Sequence, residues 1–139
     1  LTVSSKSSIG CCLAQNLLEG IEEFTQLQSI TFERNEIRNI EPLKDLPELE
    51  ELNLSTNPID SIWQITTLEK LKKLNVHGIR FDDLGSFLDF SQLEKLSYYI
   101  DNDYYCDDLD TFFESARSKT WSVKRPNYCT ASNGDKVRF

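Results

Sequence analysis

Apolar residues recur every 22 positions along most of this chain, and this repeat limits the folds available to it. The first aligned column is Leu27, Leu49, Leu71 and Leu93. The columns that follow are Ile30, Leu52, Leu74 and Leu96; Phe32, Leu54, Val76 and Tyr98; Ile37, Ile59 and Phe81; Ile40, Ile62 and Leu84; Leu43, Ile65 and Phe87; and Leu46, Leu68 and Phe90. A unit this short cannot bury its apolar residues alone, so a stack of similar coils is predicted, in which each coil covers the next.

The spacing within one unit predicts a short strand followed by a returning arc. Leu52 and Leu54 alternate and so face one side of a strand. The chain then turns at Asn57, and a set of apolar residues lines the inside of an arc of loose or 3₁₀-like turns: Ile59, Ile62, Ile65 and Leu68. Asn57 and its equivalent Asn35 are expected to hydrogen-bond buried backbone groups of the neighbouring coil. Ile79 occupies this position in the next unit and should interrupt the series.

The pattern L-x-x-L-x-L-x-x-N-x-I-x-x-I resembles the leucine-rich repeat family over roughly residues 18–100. This resemblance implies a single α/β solenoid domain, with a cap or partial repeat at 1–26, repeats at 27–100 and a cap at 101–139. The unit length and the segment "IRNIEPLKDLPELEELNL" also resemble bacterial internalins and intracellular proteins with repeats of the same length.

The N-terminal segment predicts an irregular cap. Its apolar residues have helix-like spacing, and the last three also match the arc of a degenerate first repeat: Leu13, Leu17, Leu18, Ile21 and Phe24. Cys11 and Cys12 are adjacent. They could form a vicinal disulfide, remain as one buried and one exposed thiol, or link the chain covalently to a second copy or another protein.

The C-terminal segment predicts a helix that begins at Asp107 or Asp108 as the N-cap. Its apolar face would be Leu109, Phe112, Phe113 and Ala116, and an extended return would contain Trp121 and Val123. A bridge between Cys106 and Cys129, which flank this helix, would stabilise the cap by about 3 kcal/mol through chain entropy.

This segment resembles the cysteine-flanked C-terminal cap of extracellular leucine-rich repeat proteins, in which the sequence N-P-W-x-C leads into the cap. Here Asp103 and Tyr104 replace the Pro and Trp, and one cysteine pair is present in place of two. The simplified cap is most similar to that of secreted insect repeat proteins, including the mosquito leucine-rich repeat immune proteins.

Charge and composition disfavour several classes of function. The formal net charge of −8 argues against binding nucleic acid or an anionic membrane surface. No apolar run reaches the roughly 20 residues of a spanning helix, so no membrane insertion is predicted. His77 is the sole histidine and has no partners placed for a catalytic triad. The acidic run from Asp101 to Asp110 lacks the glycine and terminal glutamate of a calcium loop. The sequence therefore predicts no enzyme, no metal site and no cofactor.

A protein-binding surface is the favoured prediction. Residues between the inward-facing leucines should form columns on the concave face: Ser29, Glu51, Lys73 and Lys95; Thr31, Asn53, Asn75 and Ser97; Glu33, Ser55, His77 and Tyr99; and Arg34, Thr56, Gly78 and Ile100. Partner contacts are predicted at Glu51, Asn53, Lys73, Asn75, His77, Lys95 and Tyr99. The alternatives are that the face is merely solvated, or that partners contact Trp63 on the convex side. Asn53-Leu54-Ser55 is also a glycosylation sequon, and a glycan on Asn53 would cover the centre of the face.

These observations predict a secreted leucine-rich repeat protein that recognises other proteins in innate immunity or in extracellular signalling. One alternative is an intracellular adaptor whose cysteines are reduced. Another is a bacterial surface protein of the internalin type, although the cysteine-flanked cap argues against it.

Overall fold

The structure is a computed structural model, and it describes residues 18–81, 83–100, 104–119, 121–124 and 126–138. Within these ranges the strands are β1 (Ser29–Thr31), β2 (Glu51–Asn53), β3 (Lys73–Asn75), β4 (Lys95–Tyr99), β5 (Ser122–Lys124), β6 (Tyr128–Thr130) and β7 (Lys136–Arg138). The helices are the α-helix α1 (Cys106–Ser115) and four 3₁₀ helices, Ile21–Glu23, Glu41–Asp45, Trp63–Ile65 and Gly85–Asp89. Cys11 and Cys12 lie outside the described residues.

The predicted solenoid is confirmed, and its strands stack in the predicted register. Strands β1 to β5 form a parallel sheet in chain order. Leu52 lies opposite Ile30 on one side and Leu74 on the other, so each step along the sheet is one 22-residue unit. Leu96 continues the column on β4. The period read from the sequence is thus the hydrogen-bonding register of the sheet.

The returning arcs begin at polar residues that recur with the same period. The side chains of Asn39, Ser61 and Asp83 each accept a hydrogen bond from the backbone N–H two residues later, at 2.9, 3.4 and 2.8 Å. Each bond satisfies an N–H group at the start of a 3₁₀ helix. These local bonds turn the chain back along the convex side, as the apolar spacing predicts.

The core runs the length of the stack between the sheet and the arcs. Nearly all of the predicted apolar columns are buried, and Leu54, Ile65 and Val76 are fully inaccessible. Leu27 in the first unit is partly buried. Phe24 was expected in the core, but it is 59% exposed. Phe24 directly follows the 3₁₀ helix Ile21–Glu23, which buries none of its residues, whereas Leu18 of the same segment enters the core.

Asn57 makes the predicted contacts with the preceding coil. It is 4% exposed, its Oδ1 accepts the N–H of Ile37 at 3.1 Å, and its Nδ2 donates to the carbonyls of Phe32 and Leu54 at 2.7 Å. Ile79 takes the equivalent position one unit later and is buried without an amide. The interruption of the series at this unit is therefore confirmed.

Tyr104 provides an unpredicted contact of the same kind one unit further along. Its hydroxyl accepts the N–H of Phe81 at 3.2 Å and donates to the carbonyl of the same residue. A hydroxyl has one proton, and Tyr104 donates its proton to the Phe81 carbonyl. In the 2.9 Å contact between the hydroxyls of Tyr98 and Tyr104, Tyr98 is therefore the donor. Phe81 is the repeat equivalent of Ile37, so a tyrosine replaces the asparagine in this role.

The C-terminal cap closes the other end of the stack. Cys106 and Cys129 form the predicted disulfide, with their Cα atoms 5.0 Å apart. The N-cap prediction is wrong by two to three residues: Tyr105 precedes α1 without a side-chain cap bond, and Asp107 and Asp108 lie in the first turn. Carboxylates there still face the positive end of the helix dipole.

The predicted extended return is the fifth strand of the sheet. Val123 lies opposite Tyr98 on β4, and the indole N–H of Trp121 donates to the carbonyl of Leu93 at 3.1 Å. The Trp121 ring stacks beside Phe112 of α1, with ring centroids 6.3 Å apart. The cap therefore extends the concave sheet as well as covering the core.

Candidate functional site

The concave face is a polar surface held on the rigid parallel sheet. Alternate strand residues point inward to the core, which leaves Glu51, Lys73 and Lys95 exposed and Asn53 and Asn75 half-buried. A shallow groove of about 440 Å³ crosses all five strands. Its lining includes Ser29, Thr31, Asn53, Asn75, Ser97 and Ser122. The structure therefore brings the predicted columns together on one face.

Ion pairs between the second and third coils neutralise part of this face. Lys73 pairs with Glu51 on the concave side. Outside the groove, Lys72 pairs with Glu50 at 2.9 Å. The hydrogen bond and charge of Lys72 hold the pKa of Glu50 below its usual range. In turn, the hydrogen bond and charge of Glu50 raise the pKa of Lys72. Lys95, one unit beyond Lys73, forms no ion pair with any described residue. The predicted positive patch is thus centred on Lys95 more than on Lys73.

Two asparagines of the central column organise the strand ends. The Oδ1 of Asn75 accepts the N–H of His77 at 3.1 Å, and that of Asn53 accepts both the N–H and the hydroxyl of Ser55, at 3.0 and 2.7 Å. Ser55 was expected on the surface, but it is 5% exposed because its hydroxyl turns back to Asn53. The sequon therefore begins at the end of β2 in the middle of the face, where Asn53 is half-buried and Leu54 and Ser55 are buried.

The fourth predicted column does not form part of the face. Arg34, Thr56 and Gly78 have positive φ angles of 56°, 58° and 75°, so the chain leaves the strand in a left-handed turn there. At Gly78 an added Cβ would lie 3.3 Å from the Oγ1 of Thr56, which favours glycine. Ile100 is fully buried in the core. The column ends because the turn redirects its side chains.

Tyr99 stands at the centre of an aromatic and basic cluster. Its ring is 37% exposed and lies 6.0 Å from the ring of exposed His77. The ammonium of Lys124, on β5, lies 5.8 Å from the Tyr99 ring centroid, a cation–π distance. Ser122 joins the groove from the same strand. Sequence reasoning missed Ser122 and Lys124, although the extended segment around Val123 was a signal for a further strand.

The described contacts of His77 are with Asn75 and Tyr99. Its backbone N–H is held by Asn75 and its ring faces Tyr99, and neither neighbour is a nucleophile that an imidazole activates. In the part of the chain that the structure describes, no cluster of His, Cys, Asp or Glu could hold a metal ion. Trp63 is 64% exposed on the convex side, where the sequence placed it.

None of the helices in the described ranges combines the length and the apolar character needed to cross a bilayer.

Comparisons with known proteins agree with this architecture. Residues 25–70 match the family described as leucine-rich repeats (2 copies). No curated protein matches the sequence. An internalin (inlF) from Listeria monocytogenes is similar in structure, with a TM-score of 0.57 and 25% identity over 76% of this chain and 32% of that one. An internalin C2 (inlC2) from the same organism has a TM-score of 0.58 and 16% identity over 84% of this chain and 57% of that one.

The fold is a short α/β solenoid, and residues 25–70 of it match the leucine-rich repeat family. The chain spans about a third of the length of one internalin and somewhat more than half of the other. The second similarity, at 16% identity, concerns the fold alone.

Proposed function

We propose that this chain is a non-enzymatic recognition protein that binds a protein partner on its concave face. The observation that carries the proposal is the cluster of Tyr99, His77 and Lys124 beside a polar groove on five parallel strands. The sheet fixes these side chains before binding, so few rotamers have to be ordered when the partner arrives. Partner contacts are proposed at Lys73, Asn75, His77 and Tyr99, with Glu51, Asn53 and Lys95 around them.

Secretion is part of this proposal. The Cys106–Cys129 disulfide supports it, because disulfides persist in oxidising compartments. The resemblance of the cap to secreted insect repeat proteins suggests a role in innate immunity or extracellular signalling. An intracellular adaptor would instead keep both thiols reduced, and thiol alkylation of protein isolated from its native source separates the two proposals.

The structural similarity to internalins favours a second candidate, a bacterial surface repeat protein of that type. This second candidate would also bind a partner on its concave face, and it differs from the first in being a bacterial protein. A covalent dimer through Cys11 or Cys12 is also proposed as an alternative mode of association. The mass of the protein under non-reducing conditions tests the dimer directly.

Replacing the face and the N-terminal cysteines separately tests the concave-face proposal. One variant carries Tyr99→Ala and Lys73→Ala, and the other carries Cys11→Ser and Cys12→Ser. Extracellular fluid of the source organism is passed over each immobilised protein, and any protein retained by the parent is identified and its affinity measured. The face variant should lose most of that affinity, on the order of tenfold or more for an aromatic anchor. If it binds as tightly as the parent while the cysteine variant fails, the N-terminal segment is the interface.

A further inference from the structure

The strand contributed by the C-terminal cap adds a positive charge to the concave face. Lys124 lies directly opposite Tyr99 in the register of β4 and β5. Both residues therefore point to the same side of the sheet, and the Lys124 ammonium rests beside the Tyr99 ring. The cap thus supplies a functional group to the surface that the repeats build.

Charges on this face are divided between its two ends. Glu33 and Glu51 lie towards β1 and β2, and each is paired with a cation, Arg34 at 3.5 Å and Lys73 respectively. Lys95 and Lys124 lie at the β4–β5 end and form no ion pair with any described residue. Among the described residues, this end of the face therefore carries two lysines without an ion pair, in a protein whose net charge is −8.

The spacing of the two lysines fits an extended chain. Lys95, Ser97 and Tyr99 share one side of β4, so Lys95 and Tyr99 are about 13 Å apart along the strand. Lys124 is one strand further across, about 4.8 Å away. The two lysines are thus about 14 Å apart at their backbones, close to the separation of residues i and i+4 in an extended peptide. Exposed serines lie between them, Ser97 opposite Ser122.

We propose that the strip between Lys95 and Lys124 receives an extended acidic segment of the partner protein, with two carboxylates four residues apart. One carboxylate contacts Lys95, the other contacts Lys124 beside Tyr99, and the serine hydroxyls donate to polar groups between them. This inference rests on the proposed function, because it names the chemistry of the partner at the concave face. At the other end of the face Glu33 and Glu51 are paired with Arg34 and Lys73, so the carboxylates of the partner are directed to the lysines at the β4–β5 end.

Short peptides of defined charge test the proposal. Three nine-residue peptides with the same Ser/Thr-rich background carry Glu, Gln or Lys at two positions four residues apart. A fourth carries its two Glu residues three apart, which places them on opposite sides of an extended chain. Each is titrated into the disulfide-bonded 139-residue protein to millimolar concentration, and backbone amide shifts are followed by NMR.

The i,i+4 Glu peptide should bind most tightly, and its shifts should centre on β4 and β5. Lys95→Gln and Lys124→Gln should each weaken the binding of this peptide roughly two- to fivefold, as expected for the loss of an exposed ion pair. Added salt should also weaken its binding to the parent protein. The matched control is Lys119→Gln, since Lys119 also lies over an aromatic ring, that of Trp121, at 5.4 Å, but that ring packs against α1. This control should bind the peptide as the parent does.

Equal binding of the Glu and Gln peptides, or no amide shifts with the Glu peptide, overturns the inference. Such results leave the proposed function intact if the Tyr99/Lys73 variant still fails to retain the natural partner. If that variant retains the partner as well as the parent does, the concave-face proposal itself is wrong. The two failures are therefore distinguished by different variants.

Discussion

At the scale of single residues, Asn57 and Tyr104 accept hydrogen bonds from equivalent backbone N–H groups with different side chains. The amide of Asn57 both accepts from Ile37 and donates to Phe32. The hydroxyl of Tyr104 accepts from and donates to Phe81. Both residues are buried, so the backbone groups that they satisfy have little access to water.

Asn57→Ala should destabilise the fold by about 2–4 kcal/mol, because it leaves the N–H of Ile37 and the carbonyl of Phe32 buried without their partner. Urea denaturation followed by circular dichroism measures the change. The matched control is Asn75→Ala, whose hydrogen bond to His77 is exposed to solvent, and which should cost below about 1 kcal/mol. Equal losses for the two variants would show that Asn57 does not support the stack.

Tyr104→Phe should cost about 1–3 kcal/mol, since it removes one oxygen and leaves the Phe81 N–H and the Tyr98 hydroxyl without that partner. The ring volume is kept, so no cavity contributes. Tyr105→Phe is the control, because Tyr105 is 59% exposed and its loss of a hydroxyl should change stability by less than about 0.5 kcal/mol. A Tyr104→Phe protein as stable as the parent would contradict the hydrogen-bonding role.

The sequence identified one of these two residues for a clear reason. Asn57 occupies a fixed place in the 22-residue pattern, so its role follows from the period. Tyr104 lies 23 residues after Phe81 and outside the aligned columns. Its role depends on how the chain enters the C-terminal cap, and a repeat pattern contains no information about that path.

At the scale of elements, the cap depends on a covalent link between α1 and β6. Cys106 begins the helix and Cys129 lies in the hairpin strand. Three residue pairs join β6 to β7, and β7 is exposed throughout. A hairpin of this size is marginal in water, so the disulfide is expected to keep it docked.

Replacing both cysteines with serine should lower the unfolding free energy by about 3 kcal/mol, the entropy expected for a loop of this length. Chemical denaturation of the oxidised parent and the Cys106→Ser, Cys129→Ser protein measures the difference. The parent under reducing conditions should match the double variant. The role of the disulfide is contradicted if the double variant unfolds at the parent's midpoint.

The contact between the second and third coils predicts a dependence of stability on pH. Lys72 lowers the pKa of Glu50, so this pair stabilises the fold above the usual carboxyl pKa, and the effect disappears as the pH falls through the lowered pKa. The raised pKa of Lys72 preserves the pair on the alkaline side until the pH exceeds that value.

Glu50→Gln should therefore lower the thermal midpoint slightly at pH 7, and the difference from the parent should disappear as the pH falls through the lowered pKa of Glu50. Both side chains are exposed, so 1 M salt should also remove it. Glu69→Gln, at an exposed position with no ion pair in the described part of the chain, should show no such dependence. A difference that grows on acidification would contradict the ion pair as its source.

At the scale of the whole molecule, the 22-residue period predicts how the coils stack. The C-terminal cap adds residues to the concave face that the period does not predict. Ser29, Glu51 and Lys73 align at 22-residue steps, and the structure pairs them as expected. Ser122 pairs with Ser97 at a longer step, because α1 replaces the usual arc. The fifth strand, and with it Lys124, could therefore not be found by extending the repeat.

The stacked architecture also predicts that the molecule opens from its ends, because each coil is stabilised by its neighbours. Native-state hydrogen exchange measures this residue by residue. The amides of Leu54 and Val76, which donate across the central strands at 2.9 and 3.0 Å, should exchange slowest. The amides of Ile21 and Phe24 belong to a 3₁₀ turn without buried residues and should have opening free energies at least roughly 3 kcal/mol lower.

Two perturbations separate opening at the ends from global unfolding. Reducing the Cys106–Cys129 bridge should lower protection first in α1 and β6, while the amide of Leu54 changes less. Leu52→Ala, which truncates a side chain that is 2% exposed in the central coil, should instead lower protection throughout by about 2–5 kcal/mol. If Ile21 and Leu54 exchange with the same opening free energy in the parent, the stack unfolds as one cooperative unit and nearest-neighbour stabilisation does not describe it.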